Sequence, residues 1–183
     1  MNTYIIGITG ASGSIYAKYL INYLAKQHLV KVVFSNAGEQ VYKYELDEEI
    51  IKNKNVEILN NNDLFSKFAS GTVKINGMVV VPCSMSSLAK IACGITETLM
   101  IRVADVCLKE RRTLILVPRE TPISSIHLDN MSRLIQAGAI LLPASPGFYN
   151  KPKSIEDLVW HLVGKIVDQL GLSTDEFRKW QNV

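Results

Sequence analysis

Six short apolar runs recur along the chain, at 4–8, 30–34, 56–59, 78–81, 114–117 and 139–142. They are rich in Val and Ile and apolar at consecutive positions, as in strands buried on both faces of a parallel sheet. Helical spacing lies between them. Within 15–29, Tyr16, Leu20, Tyr23 and Leu24 share one face, and in the segment from Ser154 so do Ile155, Leu158, Val159, Leu162, Ile166 and Leu170. That last segment is punctuated as a helix. Ser154 suits its N-cap, Glu156 and Asp157 suit the positive end of its dipole, and Gly171 can end it. Further helices are predicted at 88–92 and 97–112. The alternation of strand and helix predicts one α/β domain over 1–183 with a mostly parallel sheet. The stretch from Glu45 to Ser70 is the least regular and is read as loops or short helices around Asn60, Asn61 and Asn62.

Composition narrows the class without changing it. With 48% hydrophobic and 20% charged residues the chain is globular, and a net charge of +3 is too small to imply nucleic acid. Cys83, Cys93 and Cys107 form no CxxC pair, so the reading is three small buried residues in a reducing compartment, with no disulfide framework and no zinc site. The N-terminus lacks the charged-then-apolar layout of a signal peptide, and no apolar run is long enough to span a bilayer. The expected location is the cytoplasm, with no membrane partner.

The candidate chemistry gathers where strands end. The first strand runs into Gly7-Ile-Thr-Gly10-Ala11-Ser12-Gly13 and then a helix. Such a turn either presents backbone N–H groups and a dipole end to an anion or needs glycine for its own geometry, and the two readings stand even. Another strand ends at Pro82-Cys83-Ser84-Met85-Ser86-Ser87, with more hydroxyls than one helix cap requires, and Ser35 ends the second strand. Ligands of open α/β sheets bind beyond the carboxyl ends of the strands, so these loops suit a phosphorylated cofactor with a polar ring. A basic set follows. Arg102 and Lys109 are seven apart on one helix face, and Arg119 with Glu120 ends a strand beside Pro118 and Pro122. A carboxylate next to an arginine at such a place can relay a proton.

Taken together and in order, Gly7-Ile-Thr-Gly-Ala-Ser-Gly, Val80-Val-Pro-Cys-Ser-Met-Ser, Ala104-Asp-Val-Cys-Leu-Lys-Glu-Arg, Pro118-Arg-Glu-Thr-Pro, His127-Leu-Asp-Asn-Met and Phe148-Tyr149 resemble the UbiX-type flavin prenyltransferases, from Gly7 to about Gly171. The resemblance implies a three-layer Rossmann-like fold and a homo-oligomer, commonly a dodecamer, with sites between subunits. It implies reduced FMN and dimethylallyl monophosphate as substrates, and no metal. Prenylated FMN is the implied product, passed to a UbiD-type decarboxylase. By the same resemblance Gly10, Ala11, Ser12, Ser35, Ser84, Met85, Ser86, Ser87 and Arg102 hold FMN. Lys109, Arg119, Tyr149 and Lys165 grip the prenyl phosphate, some from a neighbouring subunit, and Trp180 belongs to a closing C-terminal segment. Catalytic roles fall to Ser12, Glu45 and Glu120.

Other readings are weaker on the residues themselves. A cysteine-decarboxylase relative needs a histidine early in the chain, where only a surface-placed His28 stands. A short-chain dehydrogenase needs a tyrosine and a lysine on one helix face, but Pro152 interrupts Tyr149 to Lys153. Cys83 has no histidine placed to make it a nucleophile. An FMN-binding accessory subunit would need the flavin loops alone and leaves Lys109, Arg119, Tyr149 and Lys165 unexplained.

Overall fold

The structure is a computed structural model that describes residues 1–47 and 53–175. Six strands form in order: β1 (Thr3–Ile8), β2 (Leu29–Phe34), β3 (Val56–Leu59), β4 (Gly77–Cys83), β5 (Leu114–Pro118) and β6 (Ile140–Leu141). Each coincides with one of the apolar runs to within two residues. The helices are α1 (Ser14–Ala25), α2 (Asn36–Leu46), α3 (Met85–Cys93), α4 (Leu99–Lys109), α5 (Ser125–Gln136) and α6 (Ile155–Gln169). The sheet order is β3-β2-β1-β4-β5-β6 and every pairing is parallel.

Alternation along the strands builds two cores, because successive side chains leave opposite faces. Tyr4, Ile6 and Ile8 of β1 join a cluster with Leu20, Leu24, Leu162 and Ile166 from α1 and α6. Ile5 joins the other, with Met78, Val80 and residues of α3 and α4 such as Leu88 and Met100. The result is a three-layer α/β sandwich, as expected. β4 and β5 are buried at every position, which is why their sequences read as unbroken apolar runs.

Several expectations are corrected. Glu45 does not open an irregular stretch but lies in the last turn of α2. That helix buries only Gly38 and Tyr42, so its apolar stripe is too thin to read in sequence. Ile155 is 73% exposed. It is the first residue of α6, a turn outside the packed stretch that begins at Val159. Cys93 is exposed, whereas Cys83 and Cys107 are buried. It closes α3 two residues after buried Ile91, about 200° around the helix and so away from the core.

Candidate active site

The order of the sheet fixes where a ligand can enter. Between β1 and β4 the strand order reverses, so the loops after these two strands turn into opposite layers and leave a crevice at the carboxyl edge. The two loops are stitched together by Thr9, which is 1% exposed. Its hydroxyl donates to the Pro82 carbonyl at 2.8 Å and accepts from the Ser84 amide at 2.7 Å. The sequence reading passed over Thr9 as a site residue. The available signal was a hydroxyl at the last step of a buried strand, just before glycine.

At the α1 turn both readings left by the sequence hold, since Gly13 takes φ +117° and the amides there meet an anion. The Gly13 and Ser14 amides donate to the Glu45 carboxylate, at 3.0 Å and 2.8 Å. An anion does sit at this helix end, and it is the chain's own. Burial works to raise the Glu45 pKa, but hydrogen bonds from the Ser12 hydroxyl, the two amides and Ser14 outweigh it and hold the carboxyl below its usual value. Ser12 stands in the same turn, one residue before the Gly13 amide that holds Glu45. Gly10 is needed for close approach, since a Cβ there would stand 2.7 Å from the Ala37 Cβ in the first turn of α2. Ser35 caps that helix by accepting from the Gly38 amide at 3.0 Å.

The loop after β4 is the better seat for a ligand's anionic tail. Ser84 caps α3 by accepting from the Ser87 amide at 3.3 Å and hydrogen-bonds the Ser87 hydroxyl at 3.1 Å. The first turn of α3 carries no acid to compete for its positive end, and Ser86 is exposed there. These hydroxyls, the dipole end and Ser35 form a donor set that fits FMN, with buried Met85 offering an apolar wall to a ring.

Arg119 crosses from β5 to the same crevice, and its Nε donates to the Ser12 carbonyl at 3.3 Å. Beside it a cavity of about 330 Å³ is lined by Met85, Arg119, Glu120, Ile123, Met131 and Pro143 among others. Glu120 is exposed and accepts from its neighbour's amide, Thr121, at 3.0 Å. Ser12, Glu45, Ser84–Ser87, Arg119 and Glu120 therefore meet at one edge.

Arg102 and Lys109 do not join them within one subunit. Arg102 donates to the Ala69 carbonyl at 3.1 Å and pairs with Asp105 at 2.9 Å, while Lys109 pairs with Glu110 at 2.5 Å. Both line a separate depression of about 780 Å³ with residues of the 69–74 loop. Lys109 precedes β5 and Arg119 follows it, so they lie at opposite ends of a five-residue strand, about 16 Å long. Tyr149 lies in the loop after β6 with its ring against His161, and Lys165 is exposed on α6 one turn beyond that histidine. Lys153 precedes α6, so Tyr149 and Lys153 share no helix. Trp180 lies outside the described residues.

Fold, crevice and donor set define a Rossmann-like flavoprotein, and residues 2–167 match the family described as Flavoprotein. The chain is 46% identical over 181 residues to a flavin prenyltransferase UbiX of Methanocaldococcus jannaschii, covering 98% of each. The crystal structure of AnUbiX in complex with FMN and dimethylallyl pyrophosphate superposes with a TM-score of 0.92 at 39% identity, covering 98% of this chain and 97% of that one. A dodecameric FMN-dependent UbiX-like decarboxylase from Escherichia coli matches with a TM-score of 0.90 at 36% identity, covering 98% and 99%. The chain belongs to the UbiX flavin prenyltransferase family.

Proposed function

We propose that this enzyme joins the dimethylallyl group of dimethylallyl monophosphate to N5 and then C6 of reduced FMN, releasing phosphate and prenylated FMN. The observation that carries the reading is the convergence, at the sheet's reversal point, of a serine-lined FMN seat with Arg119 and its adjoining cavity. Reduced FMN supplies the nucleophile. The protein's part is electrostatic and positional. Arg119 offers a guanidinium to the departing phosphate, and Tyr149 and Lys165 belong to the same grip. Lys109, at the far end of β5, comes from a neighbouring subunit. The apolar cavity wall of Met85, Ile123, Met131 and Pro143 suits a five-carbon group and excludes water. The Ser12 hydroxyl, in the turn that Glu45 closes, stands ready for a proton at the flavin edge, and Glu120 for one at the phosphate side. Arg102 supports FMN from across a subunit boundary.

A homo-oligomer, of dodecameric size as in the Escherichia coli relative, fits this division of labour. It is supported by the side chains left in the open on and before α5: Ile123, Ile126, Leu128 and Ile135 are 47–68% exposed. No helix among the described residues is long and apolar enough to cross a membrane, and we place the protein in the cytoplasm, handing its product to a UbiD-type decarboxylase. The test is anaerobic incubation with reduced FMN and dimethylallyl monophosphate, followed by mass spectrometry of the released flavin. The expected result is flavin heavier by one C5H8 unit, lost in Arg119→Ala. Tightly bound but unmodified flavin in the native protein would overturn the reading in favour of an FMN-binding accessory subunit.

A further inference from the structure

His161 lies within α6 and is 7% exposed, with no part in the scheme above. Its Nδ1 accepts from the Gly147 amide at 3.1 Å, so that nitrogen carries no proton and the ring is the neutral Nε2–H form. Its ring packs edge-to-face with that of Tyr149, with centroids 5.2 Å apart and planes at 74°. Gly147 fits between the two: a Cβ there would meet His161 Cε1, His161 Nε2 and Tyr149 Cε1, each at 3.2 Å. A side chain here would have to push these rings aside, and the loop after β6 is clasped to α6 by a buried imidazole. The start of that loop is fixed independently, by the Ala144 amide on the Pro118 carbonyl at 2.9 Å. Its far end is tied by the Lys153 and Ser154 amides on Asp157, and the clasp holds the middle, two residues before Tyr149.

We propose that His161 is a positioning residue for prenyl-phosphate binding, holding Tyr149 in register with Lys165 through its Nδ1 bond to Gly147. Lys165 is one helical turn along α6, so the histidine ties the two phosphate-facing groups of this side together. The inference rests on the prenyl-transfer reading, in which Tyr149 and Lys165 contact the phosphate. Protonation would turn Nδ1 from acceptor to donor and break the clasp. Burial, and then the Lys165 charge, hold the His161 pKa below its usual 6.5. The titratable ring packed on it from the loop is Tyr149. The folded pKa is the lower one, so the clasp is complete above about pH 6.5 and is lost as pH falls through the folded value.

The test compares three full-length proteins, native, His161→Phe and His161→Asn, by the kinetics of flavin prenylation across pH. Phenylalanine keeps the ring but cannot accept the Gly147 bond, whereas the asparagine oxygen stands where Nδ1 stood. His161→Phe should lose about tenfold in kcat/KM for dimethylallyl monophosphate at neutral pH, with FMN affinity unchanged. His161→Asn should recover most of that loss. The substrate phosphate titrates near pH 6 and gives all three proteins a common acid limb. The native enzyme should show an additional decline below about pH 6.5 that His161→Asn lacks. An active native enzyme with His161→Phe equal to it throughout would overturn this inference and leave prenyl transfer standing. A native enzyme that leaves FMN unmodified would remove prenyl transfer itself. Should the phenylalanine protein fail to fold, the asparagine profile decides alone, and superposition on the native one counts against the clasp.

Discussion

The two ends of β5 are built differently. At the carboxyl end, Arg119 donates to Ser12, Glu45 closes the α1 turn, and Thr9 locks the loops after β1 and β4 to each other. At the amino end, Lys109 rests on its neighbour Glu110, and Arg112 holds the Gly71 and Val73 carbonyls at 2.5 Å and 2.7 Å. Both ends are cross-linked over long sequence separations, but the first gathers hydroxyls, Arg119 and a carboxylate around a crevice of one subunit. The second is a basic surface joined to its own loop, with a cation turned outward. A site needing cations from both ends cannot be made by one chain. Under the proposed function, in which the phosphate site draws cations from both ends, the contrast accounts for assembly.

The largest effect should come from breaking the completed end. Arg119→Ala removes both the guanidinium proposed to face the phosphate and the tie to Ser12. We expect kcat/KM for prenyl transfer to fall about 100- to 1,000-fold, while FMN still binds, because its serine loop is untouched. Turnover within tenfold of native would mean that the phosphate is held elsewhere. Next is Gly38→Ala. A Cβ at this position would stand 2.2 Å from the Ile8 carbonyl oxygen, and backbone at the end of β1 cannot step aside. The expected loss is about 3 kcal/mol of stability, read from urea unfolding, with FMN affinity weakened in step. The corresponding change at Gly138, where a Cβ meets nothing within 4 Å but φ is +98°, should cost less.

Much of this architecture was legible in the chain, and the parts that were not share a cause. Strands buried on both faces announce themselves, so all six emerged from apolar runs. The cap at Ser154 follows from local hydrogen bonding and was equally visible, whereas α3 begins at Met85, three residues before the expected Leu88, with Ser84 as its cap. α2 was missed because its buried face is two residues wide, and with it the fact that Glu45 reaches back 32 positions to Gly13. Contacts at that separation leave no periodicity to read. The same holds for Thr9 with Ser84 and for His161 with Gly147. The motifs located the loops, whereas the way Glu45 occupies the α1 end needed the fold. Arg102 and Lys109 were rightly placed on one helix, but their distance from Arg119 depends on which way that helix feeds β5.

A smaller effect sharpens the comparison by crossing the two ends. Lys109→Ala alone should lower kcat/KM about tenfold through prenyl-phosphate binding and leave FMN affinity unchanged. If each site takes Arg119 from one subunit and Lys109 from another, the two single variants are complementary. Co-assembled in equal amounts after subunit exchange, they should leave about a quarter of sites with both residues intact and restore activity in proportion. No recovery on co-assembly would place Lys109 outside the shared site.

The smallest effect lies at Glu45 and isolates charge from shape. Glu45→Gln keeps an oxygen for the Gly13 and Ser14 amides but removes the negative charge at the start of α1. At pH 7 the expected loss is about 0.5–1 kcal/mol, modest because the side chain is exposed to solvent and salt. The native carboxyl has its pKa held below the usual 4.5, with the hydrogen bonds from Ser12, Ser14 and the two amides outweighing burial. The unfolded chain therefore binds its proton first as pH drops. The stabilisation is present above that value and fades as pH falls through the lower, folded one. Urea midpoints of the two proteins should differ at pH 7 and converge once the pH is below the lowered, folded value. A gap that persists there would assign the cost to altered hydrogen-bond geometry, and the α1 end would then be held by shape and not by charge.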